Sequence, residues 1–136
     1  MKQIIAFLLL AIASSSTFAQ QTSKYPLIGD FKGLYKFDRC CQYDIDLQRQ
    51  SAISSCEAIV SFTVDKNSTG SLSFFLMSKL KFKILHCYAV EKEYQFDLES
   101  ESGKVILGIL KLNSRNAVES FWLFIDKDEA IVTSYR

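Results

Sequence analysis

Alternation with a period of two runs through this sequence, and residues 56–76 carry it most clearly. Cys56, Ala58, Val60, Phe62 and Val64 interleave with Glu57, Ser61, Thr63 and Asp65, the spacing of a strand with one buried face. Lys66-Asn67-Ser68-Thr69-Gly70 then supplies polar and glycine turn chemistry, and Leu72, Phe74 and Leu76 resume the alternation. Two strands and a tight turn form the pattern that nearly every later segment repeats.

Upstream, Phe31, Gly33, Tyr35 and Phe37 alternate with Lys32, Leu34, Lys36 and Asp38. Asp38-Arg39-Cys40 reads as a turn into a second strand over Cys41, Tyr43, Ile45 and Leu47, and residues 48–55 read as a loop or one helical turn. Downstream, Leu80, Phe82, Ile84, His86, Tyr88 and Val90 are in phase on one face of a long strand. Its other face changes from Lys79, Lys81 and Lys83 to Leu85, Cys87 and Ala89, which predicts that the far half is covered on both sides. Tyr94, Phe96 and Leu98 alternate with Glu93, Gln95, Asp97 and Glu99. Residues 105–112 are almost wholly apolar around Gly108, as in a buried strand with a bend. Residues 117–126 and 130–135 make a last hairpin about Lys127-Asp128. About nine short strands at roughly ten-residue spacing predict an all-β fold, either a small antiparallel up-and-down barrel or a β-sandwich.

The first nineteen residues are set apart from that fold. Lys2 precedes the apolar run Ile4 to Ala13, and Thr17 and Ala19 stand where small residues precede a cleavage site. Residues 1–19 therefore read as a secretory signal peptide, 20–30 as a short lead-in with the single proline Pro26, and 31–136 as one β domain. Loss of Lys2 takes the formal charge of +1 to about zero. A neutral chain has no overall field to gather nucleic acid, and no later stretch is apolar and long enough to span a bilayer as a helix. The expected product is secreted.

Four cysteines in a short secreted chain, Cys40, Cys41, Cys56 and Cys87, predict disulfides rather than a zinc site, whose ligand spacing they do not match. Neighbouring cysteines rarely pair with each other, so Cys40 and Cys41 each take Cys56 or Cys87. Strand parity puts Cys41 with Tyr43 and Ile45, and Cys56 with Ala58 and Val60, on inner faces. That favours Cys41–Cys56 with Cys40–Cys87; the rival is Cys40–Cys56 with Cys41–Cys87. A bulge in either strand inverts the argument.

Nothing in the sequence assembles a catalytic set. His86, the single histidine, lies in phase with Phe82 and Ile84 and reads as a core residue. No Gly-x-Ser-x-Gly elbow, phosphate loop or dinucleotide fingerprint occurs. The acidic residues of 91–101 follow single polar strand faces, and Lys79, Lys81 and Lys83 read as strand-edge protection. No enzyme, cofactor or metal is expected. Asn67-Ser68-Thr69 fits the N-glycosylation pattern in a turn.

Gly33-Leu34-Tyr35, opening the first strand after a short lead-in, resembles the Gly-x-Trp that opens the first strand of lipocalins, with tyrosine in place of tryptophan. The resemblance implies a lipocalin-like barrel, and the chain length is nearer that of avidin. After residue 19, nine Phe, six Tyr and one Trp line a cavity or fill a core. The expected function is non-enzymatic binding of a small apolar ligand inside the barrel, at Phe62, Phe74, Phe82, Tyr88, Phe96 and Trp122. The alternative is a protein-interaction or structural domain, such as an inhibitor or coat component, with a dry core and functional loops.

Overall fold

A computed structural model describes residues 31–135. The expected signal peptide and lead-in, residues 1–30, lie outside the described residues, as does Arg136.

Eight antiparallel strands close into a barrel and a ninth short strand sits beside it. The barrel strands are β1 (Phe31–Asp44), β3 (Ser54–Val64), β4 (Gly70–Phe75), β5 (Lys79–Val90), β6 (Glu93–Ser100), β7 (Val105–Leu112), β8 (Val118–Phe124) and β9 (Glu129–Ser134). β2 (Arg49–Gln50) is a two-residue ribbon on the end of β1. Each barrel strand pairs with the next in the chain, and β9 returns to β1. The topology is up-and-down, and the sandwich alternative falls away.

β1 makes the closure. Phe31↔Val64 through Cys40↔Ser54 pair it with β3, while Arg39↔Ser134 through Asp44↔Glu129 pair it with β9. A tilted strand in a closed barrel meets different neighbours along its length, so the expected turn at Asp38-Arg39-Cys40 is continuous strand. The polar residues there mark a one-residue register shift between Phe37 and Arg39 instead. A second shift falls between Ile84 and His86, where β5 carries Leu85 as an extra residue, and a third lies between β7 and β8. Each shift changes which residues face inward.

Inside, Phe37, Phe74, Phe96, Phe121, Ile84, Leu98 and Leu123 are essentially removed from solvent. Thr133 is the buried polar residue among them, and its hydroxyl donates to the Phe121 carbonyl oxygen at 3.3 Å. Two glycines are required by this packing. A Cβ on Gly33 would collide with the Phe62 and Tyr35 rings, and one on Gly108 would come within 2.9 Å of Leu98 Cδ1 and 3.2 Å of Phe121 Cζ. Large rings occupy the space those glycines leave.

Candidate functional site

A connected run of aromatic rings threads the interior. Tyr135 touches Phe37 (centroids 4.8 Å apart), Phe37 meets Tyr35 (6.5 Å), and Tyr35 meets Phe62 (6.1 Å). From Phe62 the run reaches Phe96 (5.2 Å) and Phe31 (5.0 Å), and Phe31 touches Tyr94 (4.9 Å). These separations suit tilted aromatic pairs. Phe31 opens β1 and Tyr94 is the second residue of β6, so the run surfaces at the barrel end that carries the 65–69, 91–92 and 113–117 turns. Phe31, Tyr35 and Tyr94 are half-buried, whereas Phe62 and Phe96 are fully enclosed. Burial raises the Tyr35 phenol above its ordinary value, so its ring stays neutral and accepts apolar neighbours.

Of the expected ligand residues, Phe62, Phe74, Phe82 and Phe96 belong to the interior cluster. Tyr88 and Trp122 do not. The Leu85 bulge reverses the parity of β5, so His86, Tyr88 and Val90 turn outward while Cys87 and Ala89 turn in. On β8, Phe121 and Leu123 take the inside, and Trp122 joins a second cluster with Ile45, Ile109, Phe124 and Ala130. His86 is accordingly exposed on the outer wall rather than in the core. Phe31, Tyr35 and Tyr94 were missing from the expectation; their phase with Phe37 and with Phe96 was the signal for them.

The outer wall of β6 to β9 and the end of β1 carries an apolar patch. Tyr88, Gln95, Ile109, Trp122, Val132 and Cys41 are register partners in one row across six strands. Beneath it run Leu107, Phe124, Ala130 and Tyr43. Tyr43 meets Trp122 edge-on at 5.3 Å, and Lys111 Nζ lies 4.1 Å above the Trp122 ring, a cation–π contact. Trp122 Nε1–H donates to Ser120 Oγ at 3.2 Å. Gln95 is only 1% exposed; its amide donates to Glu93 Oε2 at 2.6 Å, and its Oε1 has no hydrogen-bond partner among the described residues.

Compared with protein-family models, curated proteins and solved structures, the chain finds no match.

Polar chemistry on this wall is modest. The His86 and Tyr88 rings lie 4.2 Å apart, and the Tyr88 hydroxyl donates to Asp97 Oδ2 at 3.3 Å. Burial, then the Asp97 charge and this hydrogen bond, push the Tyr88 phenol up to about 12. A phenol held protonated is a hydrogen-bond donor, not a base. Among the described residues no three His, Cys, Asp or Glu side chains are grouped to hold a metal, and no helix is long and apolar enough to cross a membrane.

The cysteines fall differently from the parity argument. The shift at Asp38 puts Cys40 inward, opposite Thr133, and Cys41 outward, opposite Val132. Cys56 packs on the interior cluster, where its thiol is pushed up to about 12 by burial and then by a hydrogen bond with Cys40. Cys87 does not share the lysine face; it is buried opposite Phe96, and burial pushes it up to about 12. Cys41 Sγ lies 4.0 Å from Gln50 Oε1. All four are thiols in the structure.

Lys79, Lys81 and Lys83 face solvent opposite Phe75, Ser73 and Ser71, on a strand paired on both sides rather than at an edge. Asn67 sits exposed in the β3–β4 turn. The Asp65 carboxylate organises that turn, accepting N–H bonds from Asn67 (2.8 Å) and Thr69 (3.2 Å) and the Thr69 hydroxyl at 3.1 Å. Those donors hold the Asp65 carboxyl below its ordinary value. Three shallow depressions of about 250 to 350 Å³ lie among the described residues. They are lined mainly by outward-facing and rim residues such as Lys32, Leu34 and Ser73.

Proposed function

We propose that this protein is an exported, non-enzymatic barrel that takes a small apolar ligand into its interior past the Phe31, Tyr35 and Tyr94 rings. The observation that carries this reading is the aromatic run itself. It joins a half-buried set of rings at one barrel end to the enclosed Phe62 and Phe96. An eight-stranded barrel is the size at which side chains either fill the interior or leave room for one small molecule. Here rings lie in mutual contact, so entry requires Phe31 and Phe62 to change rotamer. The interior offers almost no polar anchor, which selects for apolar ligands over sugars or nucleotides. Native mass spectrometry of protein recovered from its own secretions tests the reading. One copurified small molecule per chain is expected, and protein bare under conditions that preserve noncovalent complexes argues against it.

A second reading, a protein-interaction domain, is favoured by one observation: Trp122, Tyr43 and Leu107 are only half-buried on the apolar patch of the outer wall. Aromatic residues on a firm sheet are typical anchors of protein interfaces. On this reading the interior is simply core, and protein from the native source arrives with a protein partner and no small molecule.

A further inference from the structure

We propose that Cys40 and Cys56 form one intramolecular disulfide, leaving Cys87 as a core thiol and Cys41 as an outward-facing one. Between Phe37↔Ala58 and Arg39↔Ser55 a single β1 residue, Asp38, faces two β3 residues, Cys56 and Glu57. That mismatch turns Cys40 inward, opposite Ser54 and Thr133. Cys56 lies two residues along the adjacent strand, packed on the same interior cluster. Cys40 and Cys56 form a close pair, the approach a bridge between neighbouring strands requires.

The other pairings lack this geometry. Cys41 points to the opposite side of β1, between Val132 and Gln50. Cys87 lies on β5, separated from β3 by β4, in the core opposite Phe96. One bridge therefore forms where two were expected from the even count.

Oxidation needs an external disulfide, such as oxidised glutathione. The Cys40 thiolate attacks one of its sulfurs, forming a mixed disulfide and expelling one glutathione thiolate. Cys56, whose half-buried thiol is pushed up to about 12 and is the weaker attacker, then loses its proton and displaces the second glutathione thiolate. Two protein thiols become one disulfide, the external disulfide becomes two thiols, and the two protons pass to them. The bridge encloses residues 41–55, including β2 and the exposed Leu47 and Ile53. It fixes β1 to β3 at the point where β1 also begins to pair with β9.

The test is independent of export and of ligand binding. Purified protein is equilibrated in an oxidised/reduced glutathione buffer, quenched in acid, alkylated and digested with trypsin. Cleavage after Arg39, Arg49, Lys66, Lys83 and Lys92 gives peptides 40–49, 50–66 and 84–92, which carry all four cysteines. The expected product is 40–49 linked to 50–66, lighter than the reduced pair by two hydrogens, with fragment ions placing the bond on Cys40. Cys41 is alkylated in the folded protein, and Cys87 only after unfolding. The C41S variant keeps the linkage. A bond through Cys41 or Cys87, or alkylation of all four cysteines in folded protein, overturns the proposal.

Discussion

The two halves of the barrel's outer wall are built on the same strand geometry and differ in what they carry. From the start of β1 through β3 and β4 to the start of β5, outward positions hold mainly Lys32, Lys36, Ser61, Thr63, Ser71, Ser73 and the three lysines 79, 81 and 83, with Leu34 and Phe75 exposed singly among them. From the end of β5 round to the end of β1 an apolar patch of Tyr88, Ile109, Trp122, Phe124 and Ala130, with Gln95, lies alongside the charged Glu93, Asp97, Glu99 and Lys111. Ile109 is 4% exposed, Phe124 8% and Ala130 0% although all three point away from the interior. One half is a solvated skin over a core. The other is a second, smaller core on the outside of the sheet, and its partial burial explains why residues 105–112 lack alternation. A strand that is apolar on both faces loses the period-two pattern.

That contrast is open to mutation. Phe121→Ala in the shared interior should destabilise by about 3–5 kcal/mol in urea unfolding, as large-to-small core changes do. Phe124→Ala in the outer apolar patch should cost roughly 2–4 kcal/mol, close to a core value. Phe75→Ala on the polar half, where the ring is 38% exposed, should cost under about 1 kcal/mol because little packing is lost. If Phe124→Ala matches Phe75→Ala, the outer cluster is surface and the two halves are alike. Gly33→Ala sharpens the interior side of the comparison. The added methyl meets Phe62 and Tyr35 and should destabilise by about 1–3 kcal/mol through overpacking.

The smallest effect belongs to the polar half and depends on pH. Asp65 has a folded pKa below its ordinary value, so its contribution to the turn is complete above the unfolded carboxylate range and is lost as pH falls through the folded value. Amide exchange at Asn67 and Thr69 should be constant from neutral pH down to the carboxylate range, after normalisation for the intrinsic pH dependence of exchange. It should accelerate as Asp65 protonates. Asp65→Asn should abolish the acid-dependent step; its persistence would mean another group controls the turn.

The sequence disclosed the all-β class, the hairpins of residues 54–75 and 93–112, and the interior positions of Phe62, Phe74, Phe82 and Phe96, because alternation is a local signal. What it hid were single-residue irregularities. At Leu85 the lysine alternation gives way to the apolar pair Ile84-Leu85, which reads as a strand covered on both faces; as an extra residue Leu85 instead turns His86 and Tyr88 outward and Cys87 inward. The shift at Asp38 likewise exchanges the faces of Cys40 and Cys41 and lets one strand span what read as two. Bulges are set by how neighbouring strands meet around a closed barrel, and a single strand's composition carries little of that. Trp122 was hidden differently: in Phe121-Trp122-Leu123-Phe124 every residue is apolar, so parity has no reference.

The interior site is tested most directly by methyl NMR during a titration with a small apolar probe, naphthalene. Binding past the aromatic rings predicts saturable shifts at one probe per chain, centred on Leu72, Ile84, Leu98 and Leu110, which line the interior. Leu107 and Ile109 on the outer wall should move least. Shifts confined to Leu107 and Ile109, or no saturable shift at all, would contradict the account and leave the interior as packed core.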